Sequence, residues 1–492
     1  MSANAADGTI GTVSVQKGNN VSVNGEAPLS LTLDGKDHQS CQFLSKRAPD
    51  ESHEFTWKEV TTTRGGELAE ILGAQLRSVD SLVVKGYVND KDFHAMWDAS
   101  LYGYLSVINL KNAVLENNAV PDTAFFHENE QYEGSSHEIF YYIGLRKIIL
   151  PEGLEKIGEG AFYQASALRQ VNFPSTLRYI GDFAFNATKL EMNQLVIPEG
   201  VEEINQYAFA FCRKLKAQVT LPSTIKKIGE WAFYGCPITS INLPEGLESL
   251  GSLAFWDCDL REVSIPSSCH EFNEGWQFGF NRNLEKMHLP EGMTEIPDHF
   301  AVDCFRLREV NFPHTLKHIG EKAFSLCISL KNVDLPLGMQ SLGEEAFSEL
   351  EALEQIVFPA SMKSLGKNSC SYWKNIKRIY CAAMEPPVCD PTDGGVFSGF
   401  DFPDGFDTPV VYIPKGTINK YKDTSRNCMG WEKFWNYVEI DPSEFPTTAI
   451  DSPAIVETQS KGNSIYDLMG RKVERLQKGN IYIQNGKKFV AK

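Results

Sequence analysis

Residues 145–167 read LRKIILPEGLEKIGEGAFYQASA, and the same spacing of apolar residues, Pro, Gly and Ala-Phe returns about every 23 residues until roughly residue 380. Further copies begin at Leu215, Ile238, Leu307 and Leu330. A fixed period of this length is typical of a solenoid, in which each repeat forms one coil that stacks on its neighbours. The second copy shows the positions that the pattern holds: Leu168, Val171, Phe173, Pro174, Leu177, Ile180, Gly181, Ala184 and Phe185.

The residue types within one repeat indicate its local structure. Alternating apolar positions such as Val171 and Phe173 point to one face of a short strand, and Pro174 ends it because proline has no backbone N–H. A second apolar pair, a Gly and the Ala-Phe pair then turn inward, the last of them within a short helical or 3₁₀ segment. We therefore predict a repeat solenoid with one short parallel strand, about five residues long, and one such segment per coil, in which only stacking completes the burial.

The repeat resembles the leucine-rich repeats of the Treponema pallidum type, found in BspA-like surface proteins of Gram-negative anaerobes, over residues 145–380. The resemblance implies a right-handed superhelix that serves adhesion and protein recognition, outside the cell or on its surface. The first residues, MSANAADGTIGTVSVQKG, lack the apolar core of a signal peptide, so either the protein is cytosolic or the chain begins after a removed signal, and the resemblance favours removal. The sequence contains no run of about 20 apolar residues, so no transmembrane helix is predicted.

The flanks of the repeat array have patterns of their own. Alternating stretches such as TVSV and LSLTL predict short β-hairpins, and a helix is predicted to begin near Phe93 with Asp90 or Asp92 as its cap. YDLMGR at 466–471 and GNIYIQNGKK at 479–488 resemble the C-terminal sorting domains of type IX secreted proteins. The predicted organisation is a β-rich segment over 1–64, atypical capping repeats over 65–144, the solenoid over 145–380, a C-terminal cap over 381–442, and a linker with a small β-module over 443–492.

Charge and cysteine placement narrow the functional classes. The net charge of −17 opposes nucleic acid or an anionic membrane as partner and favours a basic or neutral one. A disulfide between Cys381 and Cys389, or between either of them and Cys428, is an alternative to free thiols near the C-terminus. There is no C-x-x-C zinc signature. One set of cysteines falls three residues after the Phe of the repeat, or its equivalent, and is predicted to pack as small core residues: Cys212, Cys236, Cys258, Cys304 and Cys327.

No arrangement of polar residues predicts catalysis, a cofactor or a metal site. His288, His299, His314 and His318 occupy different positions of the repeat, and no nucleophile elbow, P-loop or Rossmann fingerprint occurs. The Asp-rich loop 390–407 supplies oxygen ligands of the kind that Ca²⁺ prefers, but without the spacing of a known calcium loop. The glutamates of the repeated Pro-Glu-Gly turns are predicted to be solvated, with a carboxylate site for acid–base work or calcium as the alternative: Glu152, Glu199, Glu245 and Glu291.

The strand of each coil leaves outward side chains that stack into columns. We expect a polar column to contact a ligand, and the irregular copy from Leu260 adds Trp276 as a candidate, although local repacking would explain that copy equally. An aromatic column on the turn side either forms a contact surface or fills the gaps between coils: Tyr163, Tyr234 and Trp256 after the repeat Phe, and Phe183, Tyr207 and Trp231 before the Ala. The candidate contacts of the strand column are Asn172, Thr220, Asn242, Ser264, His288, Asn311 and Asp334.

These observations predict a non-catalytic surface protein that binds a host or matrix protein. A glycan-binding accessory protein of the cell surface is the alternative, and a structural spacer is a third possibility. Rings exposed together would favour the glycan, whereas a polar column without exposed rings would favour a protein ligand.

Overall fold

The computed structural model describes residues 53–126, 143–390, 395–399, 409–423 and 430–446, with the backbone of short strands outside these ranges. It is a parallel β-solenoid of about 15 coils with little helix. The predicted leucine-rich-repeat solenoid is therefore confirmed. The chain divides into two compact units, Met1–Cys258 and Asp259–Lys492.

Each regular coil begins with a strand that pairs in parallel with its equivalent in a neighbouring coil. Within the array these strands have two to four residues instead of the predicted five. The described coil from Leu330 forms no strand at this place. In the first unit the strands are Trp57–Thr62, Ser81–Val88, Val107–Leu115, Lys147–Ile149, Gln170–Val171, Gln194–Val196, Gln218–Thr220 and Ser240–Asn242. In the second unit they are Glu262–Ser264, Lys286–His288, Glu309–Asn311, Gln355–Phe358, Arg378–Cys381, Val410–Pro414 and Tyr437–Ile440.

Most coils have a second strand, two residues long, that was not predicted. In most of these strands one residue is buried and the other is not; in Glu203–Ile204, for example, Ile204 is buried and Glu203 is half-exposed. Parallel pairing of these strands gives the coils a second hydrogen-bonded ladder. In the first unit they are Ala119–Val120, Lys156–Ile157, Tyr179–Ile180, Glu203–Ile204, Lys227–Ile228 and Ser249–Leu250. In the second unit they are Glu271–Phe272, Glu295–Ile296, His318–Ile319, Ser341–Leu342, Ser364–Leu365 and Val388–Cys389.

Consecutive turns occupy the place where a short helical or 3₁₀ segment was predicted. Alternate N–H groups bind within the coil and across to the next coil: Ala184 N donates to Gly181 O at 3.3 Å, and Phe185 N donates to Ala208 O at 2.8 Å. The alternation places Phe183 in the left-handed region, at φ 54°. A helix would pair every N–H inside its own coil and leave carbonyl groups of the next coil without a donor. We call this part of the coils the turn ladder.

The core of the first unit is a column of phenylalanines on the turn ladder. Their rings stack face to face at centroid distances of 5.2 to 5.7 Å. Each ring is fully buried, so each adds a large apolar area that only the stack of coils removes from water. The column comprises Phe125, Phe162, Phe185, Phe209, Phe233 and Phe255.

The cysteine column is buried beside these rings, as predicted. Cys236 Sγ donates to Phe209 O of the preceding coil at 2.9 Å, and Cys304 Sγ donates to Phe278 O at 3.3 Å. A thiol therefore fills a small core space and gives a buried carbonyl a further donor. The buried free cysteines of this column are Cys212, Cys236, Cys258, Cys304 and Cys327.

Cys381 and Cys389 are also buried and free, so the disulfide between them is not formed. Tyr421 Oη lies 3.2 Å from Cys381 Sγ. The predicted alternative partner, Cys428, lies outside the described residues.

The helix Asp90–Tyr102 begins after Asn89, whose side chain accepts a hydrogen bond from Lys91 N at 3.1 Å. The prediction of an aspartate cap was wrong. Asp92 lies inside the first turn, where its carboxylate accepts from Asn89 N at 3.0 Å and from Gly66 N at 2.6 Å. The remaining helical segments are Leu68–Leu72 and Ile418–Tyr421, with 3₁₀ turns at Gly73–Ser78, Glu116–Asn118, Trp431–Lys433 and Pro442–Glu444.

Short strands near the two ends of the chain form two small three-stranded sheets. One comprises Gly11–Val13, Cys41–Leu44 and Ile139–Tyr141, and the other comprises Ile465–Asp467, Ile481–Gln484 and Lys487–Val490.

Candidate binding surfaces

The outward side chains of the first strand of each coil form a surface that we call the strand face. In the first unit the strand register places Val196, Thr220 and Asn242 side by side. In Gln218–Thr220 the central Val219 is buried and both flanking residues are exposed. The predicted column therefore exists as an outward row; its role in binding stays a prediction.

In the second unit the register places Ser264, His288 and Asn311 side by side. Nε2 of His288 lies 3.2 Å from Glu262 Oε1, so this histidine is paired within the face. Asp334 belongs to the coil without a first strand and is not part of the paired row.

Three asparagines of the predicted site serve the backbone. Oδ1 of Asn242 accepts from Leu221 N at 2.9 Å, and its Nδ2 lies 3.4 Å from Leu221 O. Asn172 and Asn311 make the same contacts with the preceding coil, with acceptor distances of 2.7 and 2.9 Å. Thr220 has no side-chain amide, and its backbone carbonyl oxygen accepts the corresponding hydrogen bond, from Ile197 N at 3.0 Å. Each Asn thus extends the strand pairing by one residue.

Trp276 lies on the turn ladder, not on the strand face. It has φ 66°, and its ring stacks on His299 with centroids 3.6 Å apart. Burial lowers the pKa of His299, and its Nδ1 is buried without a hydrogen-bond partner. The sequence prediction thus grouped Trp276 with strand residues that the fold does not place beside it.

The turn side of the first unit carries a row of half-exposed aromatic rings, which we call the turn-side row. Phe183 stacks on Tyr207 at 4.7 Å and 8°, and Tyr207 stacks on Trp231 at 5.2 Å and 13°. Tyr207 therefore has a ring against each face, and solvent meets ring edges. The row continues through further edge-on or tilted contacts to Phe126, Tyr163, Tyr234 and Phe211.

Members of this row have unusual backbone conformations for aromatic residues. Phe183, Tyr207 and Trp231 have φ of 54°, 54° and 56°. A left-handed conformation costs a residue with a Cβ roughly 1–2 kcal/mol, and a stacked aromatic pair returns about 0.5–1.5 kcal/mol. Gly160 occupies the equivalent position one coil earlier, at φ 56°. The fold therefore requires a left-handed residue there but not a ring.

In the second unit the same position carries Trp276 and His299 in two successive coils, and charged or polar side chains in the coils that follow. Lys322 has φ 51°, and its Nζ lies 2.9 Å from Glu321 and 4.0 Å from Glu345. Glu345 and Asn368 follow at φ 51° and 52°. Similar left-handed geometry thus presents rings in some coils and charges in others.

Beyond the candidate contacts named above, the strand register continues the outward column to Tyr380 and Tyr412. The two rings stack at 4.4 Å and 12°, and the register continues to Val438. Alternating apolar residues in Val410–Pro414 indicated a strand. The sequence could not assign that strand to the array, because it does not follow the preceding coil at the 23-residue spacing.

Within the described ranges, no group of three or more His, Cys, Asp or Glu is placed to hold a metal ion. The Asp-rich loop 390–407 is described only at 390 and 395–399, so calcium binding there stays an untested alternative. Burial raises the pKa of the Cys304 thiol to about 12, which keeps it protonated. Glu152 and Glu199 each accept hydrogen bonds from a serine of the next coil, at Ser175 and Ser223, so these turn glutamates also link coils.

Two parallel ladders, a turn ladder and a stacked apolar core define a leucine-rich-repeat protein. The chain belongs to the BspA type leucine rich repeat family, whose model matches in six copies at residues 135–218, 217–324 and 299–384, more than half of the chain. Proteins of this family are cell-surface proteins, which indicates a role in protein interaction. Leucine-rich-repeat proteins are generally non-enzymatic.

Among solved structures, the chain is similar to a leucine-rich repeat protein from Bacteroides ovatus, with 19% identity over 71% of this chain and 91% of that one and a TM-score of 0.46. It is also similar to the Treponema pallidum leucine rich repeat protein, with 29% identity, 32% and 77% coverage and a TM-score of 0.30. The pneumococcal vaccine antigen PcpA matches with 18% identity, 74% and 80% coverage and a TM-score of 0.34. A comparison with curated proteins gives no match. No helix among the described residues is long and apolar enough to cross a membrane.

Proposed function

We propose that this protein is a non-catalytic adhesion protein of the cell surface that binds a host or matrix protein through the strand face. The observation that carries the proposal is the outward row of short, exposed polar side chains on paired strands, such as Thr220 in the first unit and Ser264 in the second. A row of this kind offers hydrogen-bonding groups over several coils, as extended concave repeat surfaces do when they recognise proteins.

The aromatic contacts also favour a protein ligand over a glycan. In the turn-side row and in the pair Tyr380 and Tyr412, ring faces pack against other rings. A sugar that stacks on a ring needs a free face, whereas a protein interface can pack against ring edges. We propose further that the C-terminal stretch serves secretion, as its resemblance to sorting domains implies.

Capture of host extracellular-matrix proteins by the immobilised full chain, with a glycan array in parallel, tests the function. Thr220→Arg and Ser264→Arg place a bulky charge on the strand face and should weaken capture at least tenfold. Glu248→Arg, at an exposed position away from the strand face, is the matched control and should leave capture unchanged. Glycan binding without protein capture, or capture that neither strand-face variant weakens, would contradict the proposal.

A further inference from the structure

The turn-side row of the first unit lies on a different part of the coil from the strand face. Its stacked rings Phe183, Tyr207 and Trp231 are half-exposed. The equivalent position is occupied by Gly160 in one other coil and by Lys322 in another. Neither the fold nor the proposed strand-face contact therefore accounts for rings at these positions.

A row of carboxylates accompanies the rings. Asp182 directly precedes Phe183, Glu230 directly precedes Trp231, and Glu159 occupies the equivalent position one coil before Asp182. None of these three carboxylates forms an ion pair among the described residues. Asp182 accepts from Gln206 N at 3.1 Å, and Glu230 lies 3.4 Å from Gln206 Nε2.

We propose that the turn-side row is a second interaction surface, which binds an extended basic segment of a protein partner. Lys and Arg side chains can lay their aliphatic stems along apolar surface while the charged head reaches a carboxylate. The turn-side row offers both groups, because its ring edges accompany the carboxylates of Glu159, Asp182 and Glu230. Individual exposed ion pairs contribute little, so the ring edges supply the apolar contact and the carboxylates supply orientation. The net charge of −17 also attracts a basic partner.

The dimensions suit a short extended peptide. Glu159 and Glu230 are three coils apart, which is roughly 14 Å at the usual strand spacing. An extended chain covers that length with about four or five residues. A segment with basic side chains on one face can therefore contact all three carboxylates.

Fluorescence anisotropy on the full chain tests this surface with a labelled peptide of about ten residues that alternates Arg and Thr, so that all Arg side chains share one face. Peptides that alternate Glu and Thr, or Gly and Ser, are the controls. We expect the Arg peptide alone to bind. Trp231→Leu with Tyr207→Leu should weaken its binding at least about fivefold, and Asp182→Asn with Glu230→Gln should both weaken binding and reduce its salt dependence.

Glu344→Gln is the matched control, because Glu344 follows Gly343 as Glu230 follows Gly229 but lies in a coil without surface rings. It should leave binding unchanged, and so should Thr220→Arg on the strand face. An equal loss with Glu344→Gln would indicate non-specific attraction and overturn the proposal, as would unchanged binding after the ring substitutions. A loss confined to Thr220→Arg would place the peptide on the strand face instead.

Discussion

Two columns of the turn ladder lie two residues apart and obey different constraints. The inner column is Phe in most coils of both units, whereas the outer, left-handed column is aromatic at Phe183, Tyr207 and Trp231 and charged at Lys322 and Glu345. Packing therefore fixes the inner side chain, while the outer position is fixed only in its backbone and is free to vary with the surface that the coil presents. The inner residues are Phe209, Phe233, Phe324 and Phe347, and the outer ones are Tyr207, Trp231, Lys322 and Glu345.

The largest expected effect separates these two columns within one coil. Phe209→Ala removes a fully buried ring that stacks on two others and should destabilise the coil by about 3–5 kcal/mol. Tyr207→Ala should cost about 1 kcal/mol, because it loses stacking contacts at a half-exposed site. Native-state hydrogen exchange of the surrounding amides is the suitable measurement, since a repeat array need not unfold as one unit. Equal losses in the two variants would remove the distinction between the columns.

The buried thiols, three residues after the inner Phe position, predict that the stability of the fold depends on pH. The Cys304 thiol has a pKa of about 12 in the folded chain because of its burial, against about 8.5 when it is unfolded. Between these values the unfolded chain holds fewer protons, so the free energy of unfolding falls as pH rises, by about 1.4 kcal/mol per pH unit. Cys304→Ala should remove this slope, a relative change of about 2–3 kcal/mol between pH 9 and 11.

Denaturant titrations at several alkaline pH values check this expectation. Leu350→Ala is the control, because Leu350 is buried at the equivalent turn position, three residues after Phe347, and carries no thiol. Parallel slopes for the native protein and Cys304→Ala would show that the thiol ionises in the folded chain.

The repeat pattern predicted the stacking, the first strand and the buried cysteines, because each depends on apolar residues such as Phe185 and Cys236 that recur at fixed spacing. The turn ladder escaped prediction because its N–H groups bind carbonyl groups of the next coil, about 23 residues away. Its left-handed positions hold Phe183 or Lys322, residue types that give no signal of positive φ.

The candidate site was predicted only as a row of outward residues. The recurrence of Asn172, Asn242 and Asn311 at one position, each followed by an apolar residue and Pro, was a signal of a backbone role. A hydrogen bond that extends each strand pair is useful in every such coil, which explains why the asparagine recurs.

A smaller effect distinguishes structural from free polar residues on the strand face. Asn242→Ala leaves the N–H of Leu221 without its acceptor at 2.9 Å and should cost about 1–2 kcal/mol. Thr220→Ala should cost less than about 0.5 kcal/mol, because its backbone carbonyl makes the equivalent bond. Faster exchange of the Leu221 amide in Asn242→Ala alone is the expected signature. Unchanged exchange of the Leu221 amide would mean that the Asn242 side chain does not protect it.

The smallest effect tests the outer column at Glu345, a position that carries no ring. Glu345 has φ 51°, a conformation that glycine adopts without strain and alanine does not. Its ion pair with Lys322 spans 4.0 Å, so both substitutions lose little electrostatic stabilisation. Glu345→Gly should therefore be more stable than Glu345→Ala by about 1 kcal/mol, after allowance for the greater freedom of glycine in the unfolded chain.

At Tyr207 both substitutions remove a stacked ring. Tyr207→Gly should therefore be no more stable than the native protein, even if it is more stable than Tyr207→Ala. Thermal and denaturant unfolding of the four variants measure this. A glycine variant at 345 that is no more stable than its alanine counterpart would mean that the left-handed turn is not what limits this position.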